Sequence, residues 1–329
     1  MIEDLEIPYP GRHALPYSAE ALEAAAVLFR TDGAATDLIL ETLFDQRAEL
    51  LRQLTLFDAK VDRYRSLSCP NASGGYQYVE VYSQKDGFTR AFVDLHQPAV
   101  GVLQWLDEGE LGNRFGKRRG TVAGKMWGSG SLLADNYVLT AAHCFVDPGG
   151  EVRPSYANGV PIAEVDAAMS MQVVFGYLHA SGGVVAPENV FPIMELVEYK
   201  GMGVQNWGPD YAIVRLGANQ VTGLYPAAVV GQPLLPAGAD VTVAGTPLCA
   251  IEQPQIQRFE KSVATGKFAH NDHGRILYRS LLTDKGSSGS PILDITGGIV
   301  GVHHGGTCFA GNAWGVAIDK IKSVSGIIR

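Results

Sequence analysis

Gly286-Ser287-Ser288-Gly289-Ser290-Pro291 is the stretch that decides how this chain is read. It reads as a serine set in a glycine-flanked turn and used as a nucleophile. Serine and glycine cluster in ordinary turns, so the stretch alone says little. A hydroxyl is also a weak nucleophile until a base and an orienting acid stand beside it. Both are found upstream. Thr140-Ala141-Ala142-His143-Cys144 follows the apolar run Tyr137-Val138-Leu139, and Asp210 heads the apolar run Tyr211-Ala212-Ile213-Val214-Arg215-Leu216. Taken singly, a serine in a glycine-rich turn is structural in most proteins, and a histidine after two alanines reads as a packed core residue. Three motifs in the order His, Asp, Ser carry the catalytic reading, because that order is one of several that build the same acyl-transfer geometry.

On these motifs, and on Ser131 to Cys144 almost position by position, the chain resembles the chymotrypsin-fold serine proteases. The resemblance covers residues 97 to 329 and implies a mainly β fold: two packed six-stranded β-barrels of chymotrypsin type with a short C-terminal helix at Asp319 to Ile328. It implies His143, Asp210 and Ser288 as the catalytic triad, and the backbone N–H groups of Gly286 and Ser288 as the oxyanion hole. Gly286 suits that place because it lacks a Cβ and can adopt backbone angles closed to other residues. In secreted digestive members the residue before the nucleophile is an aspartate that pairs with a newly cut N-terminal amine. Here it is Ser287, so activation by cleavage is not implied, and the oxyanion turn is expected to be ordered in the intact chain.

Within that family the Gly-Ser-Pro after the nucleophile and Val300-Gly301-Val302-His303-His304-Gly305-Gly306 are similar to the glutamyl endopeptidase branch. That likeness implies Thr283 and His303 as donors to an acidic P1 side chain, in an S1 pocket that also includes Leu282, Gly305 and Gly315. Leu282 stands where trypsin-type members carry an acidic pocket base, which argues against a basic P1. The bland readings are a strand histidine satisfied by its neighbours and a turn threonine. A protease-fold binding module without turnover, or an esterase using the same serine, are the alternatives.

The first hundred residues lie outside the resemblance. Residues 18 to 30 and 34 to 64 have helical apolar spacing around Gly33, predicting a helical hairpin. The spacing of Tyr76 to Tyr82 and Phe88 to Leu95 predicts two strands around Lys85-Asp86-Gly87, belonging to that module or docked on the protease. The chain is therefore divided into a helical module over 1–96, acting as adaptor, prosegment or packing extension, and a protease domain over 97–329. Further strands are predicted at 100–106, 131–140, 171–177, 190–199, 211–216, 241–245, 292–293, 299–301 and 314–318. Sixty-six residues separate His143 from Asp210, and Asp147 to Ala168, with Pro148-Gly149-Gly150 and Asn158-Gly159, reads as a long surface loop.

Composition narrows the partners. A chain of 329 residues with 46% hydrophobic and 18% charged residues can bury a sizeable core. Its net charge is -8, and its one basic cluster, Arg114 with Lys117 to Arg119, reads as a solvated loop, so no nucleic-acid partner is expected. The expected partners are a protein or peptide substrate and a regulatory partner engaged through the N-terminal module. No cofactor is expected. No metal is expected either, because His270, His273 and His304 lack further ligands at motif spacing. The acidic N-terminus is not followed by an apolar stretch, and no segment approaches a membrane span. The resemblance places Gly128 and Asp284 where cysteines would pair with Cys144 and Cys308, so the four cysteines read as reduced thiols of a cytoplasmic protein; a pairing of Cys69 with Cys249, or secretion after loss of a leader, is the alternative.

Overall fold

In a computed structural model of the chain, the described residues are 77–78, 82, 84–146, 151–176, 185–201, 209–237, 241, 243–252, 261–279, 286–307 and 312–329. The chain separates into two units, Met1–Thr55 and Leu56–Arg329, and every described residue lies in the second. The helical hairpin read over 18–64, Cys69, Leu282, Thr283 and Cys308 lie outside the described residues.

The strands are β1 (Gln77–Tyr78), β2 (Val100–Trp105), β3 (Met126–Leu132), β4 (Tyr137–Thr140), β5 (Met171–Val174), β6 (Val190–Lys200), β7 (Tyr211–Leu216), β8 (Pro247–Glu252), β9 (Ser262–Asp272), β10 (Arg275–Arg279), β11 (Pro291–Leu293), β12 (Ile299–Thr307) and β13 (Asn312–Ala317). Antiparallel pairing in the order β2-β3-β4-β7-β6-β5, with β5 returning to β2, closes the first barrel. The second runs β8-β9-β10-β13-β12-β11 and closes through the β11–β8 pair, while β1 adds to the free side of β9. Closure removes the exposed edges that a flat sheet would leave. The expected two-barrel fold is therefore present, and the C-terminal helix spans Ile318–Val324.

Leu103, Leu132, Leu139, Phe145, Ile213 and Val316 belong to one continuous apolar cluster. Fully burying a side chain of this size contributes about 1.5–3 kcal/mol each. A second cluster around Tyr278, Phe268 and Ile292 fills the interior of the other barrel.

Several local expectations are corrected. Phe88 to Leu95 is not a strand; Arg90–His96 is a helix, capped by Thr89, whose hydroxyl accepts from Phe92 N–H at 3.1 Å. The apparent alternation misled because Phe88 packs edge-on against Phe92 across the cap, and the Arg90–Asp94 pair at i,i+4 supports a helix. Part of the predicted surface loop is ordered as the helix Glu164–Met169, which buries Ala167 and Ala168 beside Ile162. The strand placed at 241–245 is found at Pro247–Glu252, because Gly245 takes φ +92° and turns the chain. Strands β9 and β10 went unread; His273 (φ +54°) and Gly274 (φ +87°) make the tight turn that joins them, with His270 and His273 exposed. No helix among the described residues is long and apolar enough to cross a membrane.

Candidate active site

His143 sits in a 3-10 turn, Ala142–Phe145, that leaves the end of β4. Its neighbours Ala141, Ala142, Cys144 and Phe145 are all buried, so the turn is anchored on both sides and the imidazole is left at the cleft. Asp210 immediately precedes β7 and is 2% exposed. Pairing of β4 with β7 brings the two strand ends together, with Thr140 opposite Ala212. The Asp210 carboxylate then receives His143 twice: the backbone N–H donates to Oδ1 at 2.9 Å, and Nδ1 lies 2.5 Å from Oδ2.

Ser288 reaches the same point from the other barrel, its Oγ 2.7 Å from His143 Nε2. The turn around it is tied to β12, because Gly289 N–H donates to the His303 carbonyl and His303 N–H to the Ser290 carbonyl, both at 2.9 Å. Gly286 and Gly289 take φ of +92° and +86°, which explains glycine at both places. A Cβ at Gly289 would also run into the Ser129 carbonyl and the Thr140 hydroxyl. Neither Gly286 N–H nor Ser288 N–H has a hydrogen-bond partner among the described residues. Two such donors beside a hydroxyl can receive a developing oxyanion.

One participant was missed from the sequence. His304 Nδ1 is also hydrogen-bonded to Asp210 Oδ2, and its ring stands edge-on to His143 with centroids 4.8 Å apart. Burial by itself raises the Asp210 carboxyl, but hydrogen bonds from His143 and His304, and their charges, outweigh it and hold the group well below the usual carboxylate range. His304 sits where the β12–β13 register shifts between His303 and Gly305, so simple strand alternation does not give its direction. Nothing in the sequence showed that it would meet Asp210.

His303 packs against Tyr278. It is 2% exposed, and its Nδ1 is hydrogen-bonded to the Tyr278 hydroxyl. Burial, then the charges of His304 and His143, push it down to about 3, so it is neutral near pH 7. Opposite it across the β12–β13 pair stands Gly315, and Gly305 pairs with Trp314.

The ligand atoms of His143, Asp210 and His304 lie within 4.8 Å of one another. Two ligands about 2 Å from one tetrahedral metal would stand about 3.3 Å apart. The 2.5 Å between Nδ1 of His143 and the carboxylate is instead a hydrogen-bond distance, so the cluster in this form shares protons and is not a metal cradle. Cys144 and Cys249 are buried, and Gly128 has no room for a side chain, since a Cβ there would stand 2.7 Å from Cys144 Sγ.

A family model described as a trypsin-like peptidase domain matches residues 128–302, which include His143, Asp210, Gly286 and Ser288 but stop just short of His303 and His304. The chain belongs to the trypsin-like peptidase family. Among solved structures this peptidase is similar to Glu endopeptidase in complex with MPD, at 15% identity over 76% of this chain and 95% of that one, with a TM-score of 0.47. It is similar to the active form of the Rv3671c protease from M. tuberculosis, at 16% identity over 72% and 83%, TM-score 0.45. Human heparin binding protein is a third, at 16% identity over 76% and 93%, TM-score 0.46. No curated protein matches the chain in sequence. As a trypsin-like serine endopeptidase it is a hydrolase acting on peptide or protein substrates.

Proposed function

We propose that this peptidase cleaves peptide bonds through an acyl-enzyme on Ser288, with His143 as base and acid and Asp210 as its orienting partner, and that it accepts an acidic P1 side chain. The observation that carries the catalytic part is the unbroken run from Ser288 Oγ to His143 Nε2, at 2.7 Å, and from His143 Nδ1 to Asp210 Oδ2, at 2.5 Å. Ser288 Oγ attacks the scissile carbonyl carbon as its proton passes to His143 Nε2. The carbonyl oxygen gains negative charge and is received by Gly286 N–H and Ser288 N–H. His143 returns the proton to the leaving amine as the C–N bond breaks, and a water deprotonated by His143 then releases the acyl group. Asp210 keeps the imidazole oriented and balances its transient charge, while His304 gives the carboxylate a second donor.

The acidic P1 reading rests on the positions of Thr283 and His303. Assigning the Tyr278 hydroxyl as the donor to Nδ1 puts the proton of neutral His303 on Nε2, which has no partner among the described residues. A buried, uncharged donor of this kind gains from a carboxylate oxygen and gives nothing to a cationic side chain. The test is cleavage of a peptide library by the intact chain and by Ser288→Ala, with P1 read by mass spectrometry. Cleavage after Glu or Asp that disappears in the variant is expected. Cleavage after Lys or Arg would overturn the pocket assignment and leave the triad standing.

A further inference from the structure

The turn that carries Ser288 is held from the first barrel by a residue outside the triad. Ser129, on β3, is fully buried. Its Oγ donates to the Gly286 carbonyl and its backbone N–H to the Ser288 carbonyl, each at 2.8 Å. Between them the Ser287 carbonyl accepts Ser290 N–H at 3.0 Å. Three successive carbonyls are thus fixed. Because a trans peptide sets its N–H opposite its C=O, holding the Ser287 carbonyl also aims the Ser288 N–H.

Gly286 is the soft point of this arrangement. Glycine at φ +92° has more rotational freedom than any other residue, and rotation about its own bonds would swing its N–H away from the point at which Ser288 N–H is aimed. Ser287, the next residue, is buried and uncharged, so its side chain brings no ion pair to fix the turn. The Ser129 hydroxyl acts on the Gly286 carbonyl directly, and Thr140 Oγ1 holds Ser129 in turn by donating to its carbonyl at 2.7 Å.

From this geometry we infer that Ser129 is a positioning residue whose side-chain hydroxyl fixes the Gly286–Ser287 peptide, the link between the two peptides that carry the Gly286 and Ser288 N–H groups, and so keeps the two oxyanion donors convergent. The inference rests on the acyl-enzyme reading above. It makes the first barrel responsible for the oxyanion site as well as for His143 and Asp210.

Ser129→Ala tests it, assayed on a peptide the wild type cleaves and by the rate of labelling with a fluorophosphonate, whose adduct places an oxygen in the same donors. A loosened oxyanion site predicts a kcat lower by about tenfold to a hundredfold, with KM within twofold, and labelling slowed to match. Ser129→Thr, which keeps the hydroxyl, should restore most of the loss. Wild-type kcat in Ser129→Ala, or an equal loss in the Thr variant, overturns the inference. If the Ala variant does not fold, Ser129→Cys offers only a weak donor at the same place, and full kcat there overturns it too. A wild type that neither cleaves nor labels would instead remove the acyl-enzyme reading, and this inference with it.

Discussion

The two barrels contribute to the cleft in different ways. The first supplies groups on the ends of paired strands: His143 after β4 and Asp210 before β7, joined by a ladder that sets their spacing. The second supplies Ser288 on a turn between two positive-φ glycines, and two adjacent histidines of β12, His303 bonded to Tyr278 and His304 to Asp210. Strand ends are positioned by the core behind them, whereas a glycine turn has no such support and must be held by its neighbours. Several of those neighbours, Ser129 and Thr140 among them, belong to the first barrel.

The strand-end pair should be the most sensitive to substitution. Asp210→Asn keeps the shape but offers an N–H where two imidazole nitrogens now share an acceptor, and kcat should fall by about 10⁴-fold. A loss under tenfold would mean that the ladder-set pair is not what orients His143. On the turn, Gly289→Ala places a Cβ against the Ser129 carbonyl and Thr140 hydroxyl at φ +86°, and should destabilise the fold by about 2–5 kcal/mol in denaturant unfolding. Unchanged stability would show that the turn is not pressed against the first barrel.

Smaller effects sharpen the division between the histidines. His304→Ala removes one donor from Asp210 and should lower kcat about tenfold with KM nearly unchanged, since a buried acceptor loses part of its satisfaction. His303, buried against Tyr278, should act on stability as well as on the choice of P1. Its folded pKa is depressed to about 3, so between roughly pH 6.5 and 3 the unfolded chain binds a proton that the fold does not. Stability should therefore fall as pH is lowered through that window, by up to about 1.4 kcal/mol per pH unit from this group. His303→Gln should flatten that slope in urea unfolding, whereas an unchanged slope would place the imidazole in contact with water. Asp210, depressed like any well-partnered carboxylate, adds its own loss only below about pH 4, so the two are separable.

The same comparison explains what the sequence made legible. β7 is legible from the apolar run behind Asp210, whereas the single strand expected at 131–140 is broken: it spans the end of β3, a turn at Ala134–Asn136 with Asp135 at φ +58°, and β4 leading to His143. The Ser288 turn was read from its glycines. Ser129 and His304 were not read as partners of the site, since each acts through a residue about 157 or 94 positions away in the chain, and only strand pairing and barrel closure bring them near. The helix Arg90–His96 escaped for a local reason, Thr89 capping a segment whose apolar residues fall at strand-like spacing. Strands β9 and β10 escaped because their polar turn, Asp272-His273-Gly274, resembled a loop more than a hairpin.

The central claim is that first-barrel groups activate a second-barrel serine, and intact-mass analysis after fluorophosphonate treatment tests it most directly. The account predicts one adduct on the wild type, mapped to the peptide carrying Ser288, absent from Ser288→Ala and slowed at least a hundredfold in His143→Ala. Labelling of another serine, or equal labelling with His143 removed, would contradict it.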